Sequence, residues 1–169
     1  MSDFKIRILR EEDVTQAYVN WFHDQDVVRY SDNQYREFSL EGQKAYVRGC
    51  ESNTSVRLYG IFSSKSEAHI GNVVIGAIDL NHRRAEVTYV VGDRAFWGKG
   101  VATFAVGEAV RIARDELNLV KVYAGCAASN EASKKVLERN SFSLEGVRKS
   151  HLSYGGTRDD QFDYGLVLR

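Results

Sequence analysis

Residues 95–106 read AFWGKGVATFAV, so Gly98 and Gly100 flank Lys99 just before an apolar helical pattern begins. That arrangement suits an anion. The first N–H groups of a helix lack intrahelical partners, and the helix dipole favours negative charge there. Glycine lets a ligand reach the backbone without a Cβ in the way. A phosphate or pyrophosphate is the natural guest, and the stretch Trp97, Gly98, Lys99, Gly100, Val101, Ala102 and Thr103 is the candidate cradle. The plainer alternative is a turn that only joins a strand to a helix.

Two nucleotide motifs fit poorly. The P-loop pattern G-x-x-x-x-G-K-[ST] fails because Lys99 lies between the glycines and no earlier glycine has the spacing. The dinucleotide pattern G-x-G-x-x-G is met at Gly98 and Gly100 but not at Thr103. The next strand-like run, LVKVYAGCA, also lacks the acid that would hold a ribose.

The elements around the turn can be read from periodicity. FKIRIL alternates apolar and polar residues, which predicts a strand over 4–9. REEDVTQAYVNWFHD has acids first and apolar residues at Val14, Ala17, Tyr18, Trp21 and Phe22, the spacing of a helix over 10–24. Ser39 opens a second helix to about 52, with Gly42 as a weak point. Strands follow at 56–62, 71–80 and 84–91, the last two joined by a hairpin-length turn. A helix over about 100–117 puts Ala102, Ala105, Val106, Ala109, Ile112, Ala113 and Leu117 on one packed stripe, with Glu108, Arg111 and Asp115 toward solvent. A strand at 119–127, a helix from 130 to near Asn140 and a closing hairpin about a GGTRD turn complete the chain. Strand runs mixed with helices place it in the α/β class, with a mixed sheet covered by helices on both faces.

The 169 residues suit a single domain over 1–169. Hydrophobic residues make up 43% and charged residues 27%, an ordinary globular balance. Lys plus Arg equals Asp plus Glu at 23 each, so no basic face for nucleic acid is expected. Cys50 and Cys126 are too few for a disulfide framework and read as small apolar side chains in a reducing compartment. The charged N-terminus lacks the apolar run of a signal peptide, and no stretch reaches the roughly 18 apolar residues of a membrane span. A cytoplasmic protein without metal, membrane or nucleic-acid partner is the expectation, as a monomer or homodimer.

Three segments together carry a resemblance. Gly100 and Ala102 match the last two defined positions of [Q/R]-x-x-G-x-[G/A], the acetyl-CoA motif of the GNAT N-acetyltransferases, although Trp97 stands at the first. ASNEASKKVLERNSF is similar to the family's N-x-x-[AS]-x-x-x-[YL]-x-x-x-GF segment through Asn130, Ser133, Leu137 and Phe142, with Ser141 in place of glycine. AEVTYVV resembles the strand before the cofactor loop in the branch that acetylates ribosomal-protein N-termini, where a tryptophan at the place of Trp97 also occurs. The resemblance implies a central, mostly antiparallel twisted sheet with helices on both faces. It implies acetyl-CoA as cofactor and direct transfer of acetyl to a primary amine in a ternary complex.

That reaction has three needs. The amine must lose a proton, since with a pKa near 10 only about one amine in a thousand is neutral at pH 7. The oxyanion needs a donor, and the leaving thiolate benefits from a proton. The resemblance implies Glu86 as base, directly or through water. The alternative is a strand-surface glutamate paired with Arg83 or Arg84. His82 and Asp79 are weaker candidates, more naturally turn residues. Ser133 is implied as the partner of the thiol, where many members use a tyrosine at the place of Leu137; the alternative is a surface serine near a helix start. Asn130 suits a helix N-cap and, by resemblance, a hydrogen bond to the pantetheine arm. Tyr89, Val90 and Val91 are implied to offer main-chain groups to pantetheine and to the oxyanion.

The acceptor is less defined. By resemblance, the N-terminal helices and the last hairpin shape its groove, which points to Trp21, Tyr30, Tyr35 and Tyr154, with Phe22, His23, Phe38 and His151 nearby in sequence. Aromatic faces can stack on sugar or uracil rings, and Arg29 or Arg36 can meet phosphate. A small-molecule amine such as an amino-sugar nucleotide is the leading expectation. The N-terminal amine of a ribosomal protein is the alternative, and a non-catalytic acyl-CoA-binding module is a third reading. Most of these aromatics would otherwise be core or lid packing.

Overall fold

The computed structural model describes residues 2–169. Its strands are β1 (Phe4–Ile8), β2 (Arg57–Ser63), β3 (His69–Asp79), β4 (Arg84–Val91), β5 (Lys121–Ala127), β6 (Ser143–Tyr154) and β7 (Thr157–Val167). They form one sheet in the order β1-β2-β3-β4-β5-β7-β6. Every neighbouring pair is antiparallel except β4 with β5. The helices are α1 (Gln16–Trp21), α2 (Gln25–Val28), α3 (Leu40–Ser52), α4 (Val101–Asp115) and α5 (Glu131–Arg139). No helix of the described residues is long and apolar enough to cross a membrane.

One expectation needs correction. The helix read over 10–24 is broken into a 3₁₀ turn at Glu11–Asp13 and the short α1, and α2 starts only after it. Polar side chains cause the breaks by bonding to the backbone themselves. Asp13 accepts from the Arg10 N–H at 2.8 Å, Thr15 caps α1 by accepting from the Tyr18 N–H, and Asp24 caps α2 by accepting from the Asp26 N–H. The apolar spacing survived because α1 and its C-cap still turn Tyr18, Trp21 and Phe22 inward.

Strand alternation sorts the core into two layers. Tyr59 and Ile61 of β2, Val73 and Ile75 of β3, and Ala85 and Val87 of β4 face the layer shared with α4 and α5. Leu58 and Phe62 of β2 and Val74 of β3 face the layer of α1 and α3. Helices therefore cover both faces. The small residues Ala105, Ala109 and Ala113 let α4 lie close on the sheet, and all three are fully buried.

The feature that positions the site is the one parallel pairing. β4 and β5 are paired only at Arg84–Lys121, Ala85–Val122 and Glu86–Tyr123. Beyond that rung β4 runs on to Val91 and β5 to Ala127 with no further pairing between them. The sheet opens there, and alternate main-chain groups along that edge of β4 lack a ladder partner.

Candidate active site

At one end of the opening lies the start of α4. Gly98 and Gly100 have φ of +72° and +80°, a conformation in which a side chain is strained. A Cβ at either position would meet no atom within 4 Å, so the space over this turn is free. Thr15, Asp24, Ser39 and Asn130 cap the other four α-helices with side-chain oxygens. α4 has Gly100 as its N-cap, no side-chain cap and no acid in its first turn. Its leading N–H groups are thus left for an outside acceptor. Trp97 fixes the loop: its Nε1 donates to the Val91 carbonyl at 2.8 Å, and the Arg94 guanidinium lies over its ring. Arg94 pairs in turn with Asp26 at 2.7 Å. Lys99 is exposed, its ammonium 5.2 Å from the centre of the Phe96 ring. Val101 is buried, while Ala102 and Thr103 are half-buried, with the Thr103 carbonyl accepting from Asn140.

The far side of the opening is α5. Asn130 Oδ1 accepts from the Ser133 N–H at 3.1 Å, the N-cap bond. The Asn130 carboxamide oxygen is thereby engaged, and its amide N–H groups make no hydrogen bond among the described residues. The Ser133 Oγ lies 2.6 Å from the phenol oxygen of Tyr89, which spans the gap from β4. Cys126 of β5 is buried beside Ser133, and burial pushes its thiol up to about 11. It is therefore a neutral thiol at neutral pH. Val90 and Val91 are half-buried at the end of β4.

Glu86 projects from the face of β4 opposite Tyr89, since Ala85 and Val87 on either side point into the α4 layer. It is half-buried, and no ion pair or hydrogen bond holds its carboxylate among the described residues. The pairings with Arg83 and Arg84 do not form. Arg83 donates to Asn118, and Arg84 lies 3.7 Å from Asp79. Desolvation raises the Glu86 carboxyl above its ordinary value; Arg148 opposes the shift and Asp163 adds to it. Asp79, the last residue of β3, accepts from the Asn81 and His82 N–H groups of the turn that follows.

Three of the four acceptor-side aromatics come together. The Tyr30 and Tyr154 rings meet edge to face at 6.3 Å, the Tyr30 hydroxyl donates to the Ser129 carbonyl, and the Tyr35 hydroxyl donates to the Ser153 carbonyl. The segment after α2 is thus laid across the tip of the β6–β7 hairpin. Trp21 does not join them, which corrects its assignment to the acceptor groove. It is buried against Tyr18, 5.0 Å between ring centres, and His69, 4.8 Å away. Phe22 and Phe38 likewise stack on each other at 4.3 Å as core. For Trp21 and Phe22 the helical spacing read in the sequence was the signature of burial.

A family model described as an acetyltransferase (GNAT) domain matches residues 3–143. The chain belongs to the GNAT acetyltransferase family. An uncharacterized N-acetyltransferase, p20, of Bacillus licheniformis is 28% identical over 88% of this chain and 76% of its own. The fold is that of solved relatives. A spermidine N-acetyltransferase from Vibrio cholerae, in complex with CoA and spermine, superposes with a TM-score of 0.88 at 20% identity, over 99% of this chain and 97% of that one. A ribosomal-protein-S5-alanine acetyltransferase from Vibrio fischeri gives 0.86 at 21% identity, over 99% and 94%.

The acetyltransferase takes its acyl group from acetyl-CoA, the donor this family uses. The free N-terminus of α4 suits a pyrophosphate, and the unpaired edge of β4 suits an extended amide chain, so the residues present fit this cofactor. Sequence reasoning missed the side chain of Tyr89, which it valued only for its backbone. It also missed the polar row beside Glu86, where Arg148 pairs with Asp163 at 2.7 Å and Gln161 donates to the same carboxylate at 2.8 Å. The alternation of Asp159, Gln161 and Asp163 on a strand was a usable signal for that row.

Proposed function

We propose that this N-acetyltransferase binds acetyl-CoA from the α4–α5 side of the sheet and its amine acceptor from the opposite side, the two meeting where β4 and β5 part. The observation that carries this reading is the placement of Glu86 and Ser133 on opposite sides of that gap. In it, the α4 N-terminus and Gly98–Thr103 hold the pyrophosphate. Asn130 and the β4 edge at Tyr89–Val91 hold the pantetheine, with a main-chain N–H near Val90 or Val91 for the oxyanion. Glu86 removes the ammonium proton, directly or through a water, and its raised carboxyl is the better base for it. The amine attacks the thioester carbon, the C–S bond breaks, the nitrogen's second proton ends on the departing sulfur, and Ser133 donates a hydrogen bond to that sulfur as it leaves.

For the acceptor, the reading favours a small amine that carries a ring and an anionic group, such as an amino-sugar nucleotide. Tyr30 and Tyr154 offer ring faces, and Arg29 beside them has no carboxylate partner among the described residues. The likeness to the ribosomal-protein-S5-alanine acetyltransferase supports a second acceptor, a peptide N-terminus. A thiol-release assay with acetyl-CoA against amino-sugar nucleotides, polyamines and N-terminal peptides separates them. Release with the sugar nucleotides alone supports the first reading, and release with peptides alone replaces it.

A further inference from the structure

Tyr89 is the one tyrosine whose hydroxyl lies on Ser133, and the proposed cofactor binding draws on its main chain alone. It has a single hydrogen and two acceptors within reach, the Ser133 Oγ at 2.6 Å and the Ser133 carbonyl at 3.4 Å. The shorter contact is the stronger one. Desolvation raises the phenol far above its ordinary value, so Tyr89 keeps its hydrogen and has one to give. If Tyr89 gives its hydrogen to the Ser133 Oγ, the serine's own hydrogen is left to point elsewhere. The other group against Ser133 is Cys126, which stands within hydrogen-bonding reach of the serine but is a neutral thiol, a weak acceptor beside a thiolate.

We infer that Tyr89 is a positioning residue that fixes the Ser133 hydroxyl with its hydrogen turned into the gap between β4 and β5, where the departing thiolate forms. This inference rests on the donor-side assignment of the proposed function. No proton leaves Tyr89. As the C–N bond forms and the C–S bond breaks, the electron pair goes to sulfur, and the Ser133 O–H donates a hydrogen bond to it. A hydroxyl that already accepts from a phenol is also a stronger donor. The phenol thus arrives from β4 at a helix whose own candidate position, Leu137, is apolar and fully buried.

Tyr89→Phe removes only the phenol oxygen and leaves the ring packed. We expect kcat to fall about 10-fold, one hydrogen bond's worth in the transition state, with acceptor KM and acetyl-CoA affinity unchanged. In a Ser133→Ala background the same change should have no further effect on kcat. Calorimetry adds a readout that a merely structural role would not move. At pH 9, where free CoA carries much thiolate, Tyr89→Phe should weaken CoA several-fold and leave acetyl-CoA as it was. A kcat loss of the same size in the Ser133→Ala background, or weakening of CoA and acetyl-CoA alike, would overturn the inference. Unchanged kcat in Tyr89→Phe together with a loss in Ser133→Ala would also overturn it, leaving the proposed function intact. No loss in Ser133→Ala would instead remove the Ser133 role itself.

Discussion

Glu86 faces Tyr123 across the last rung at which β4 and β5 are still paired. The carboxylate therefore stands at the edge of the opening, held by a strand whose position is fixed by ladder bonds on one side to Gly76 and on the other to Tyr123. A base placed on a rung of a sheet has little freedom to move away from its task.

That placement makes a kinetic expectation. Glu86→Gln should keep acetyl-CoA affinity and lower kcat by about 10²–10⁴, the usual contribution of a general base. The acidic limb of the kcat/KM profile should vanish with it. Full activity of the variant from pH 6 to 9 would remove Glu86 from the role.

The same residue makes a stability expectation with a definite sign. Because the folded carboxyl is raised, the folded state holds this proton more tightly than the unfolded state. The contribution of Glu86 to stability therefore falls as pH rises from the ordinary carboxylate value through the raised one. Glu86→Gln should melt higher than the parent at neutral pH, and the gap should close in acid below the ordinary carboxylate range. Equal melting temperatures at neutral pH would show that the ionised form has a compensating partner.

At the other end of the site, Gly100 separates strain from charge. Its φ of +80° makes any side chain cost about 1 kcal/mol or more, so Gly100→Ala should lower the melting temperature slightly. No protein atom fills the space above it, which is where the proposed pyrophosphate lies, so the alanine Cβ should also weaken acetyl-CoA, though less than a charged side chain does. Gly100→Glu adds a like charge at the proposed pyrophosphate site and should abolish binding by calorimetry. Unchanged affinity in the glutamate variant would place the cofactor elsewhere.

Much of this was legible in the sequence for physical reasons. The α4 stripe and the alternating strands impose a period, and each was found where the period said. The turn before α4 could be read because glycine is needed where φ is positive. The broken first helix was not legible, since capping by Thr15 and Asp24 competes with a periodicity that looked continuous. The Tyr89–Ser133 contact joins residues 44 apart, across a gap that exists only because β4 and β5 stop pairing. Local pattern carries no trace of such a pairing limit.

The correction at Trp21 gives the sharpest test of core against site. Gly92 follows β4, and a Cβ there would lie 1.9 Å from Trp21 Cδ2, so the indole occupies the room that glycine leaves. Trp21→Ala should cost about 3–5 kcal/mol by removing a buried aromatic, read in denaturant melts. Gly92→Ala should also destabilise, because a well-packed neighbour must shift. The two residues share one volume, so their effects should not add. In the Trp21→Ala background, Gly92→Ala should be nearly free, its methyl entering the space the indole left. Additive losses would mean that the indole does not sit against Gly92. Trp21 would then be free to reach the acceptor side, where Tyr30 and Tyr154 meet.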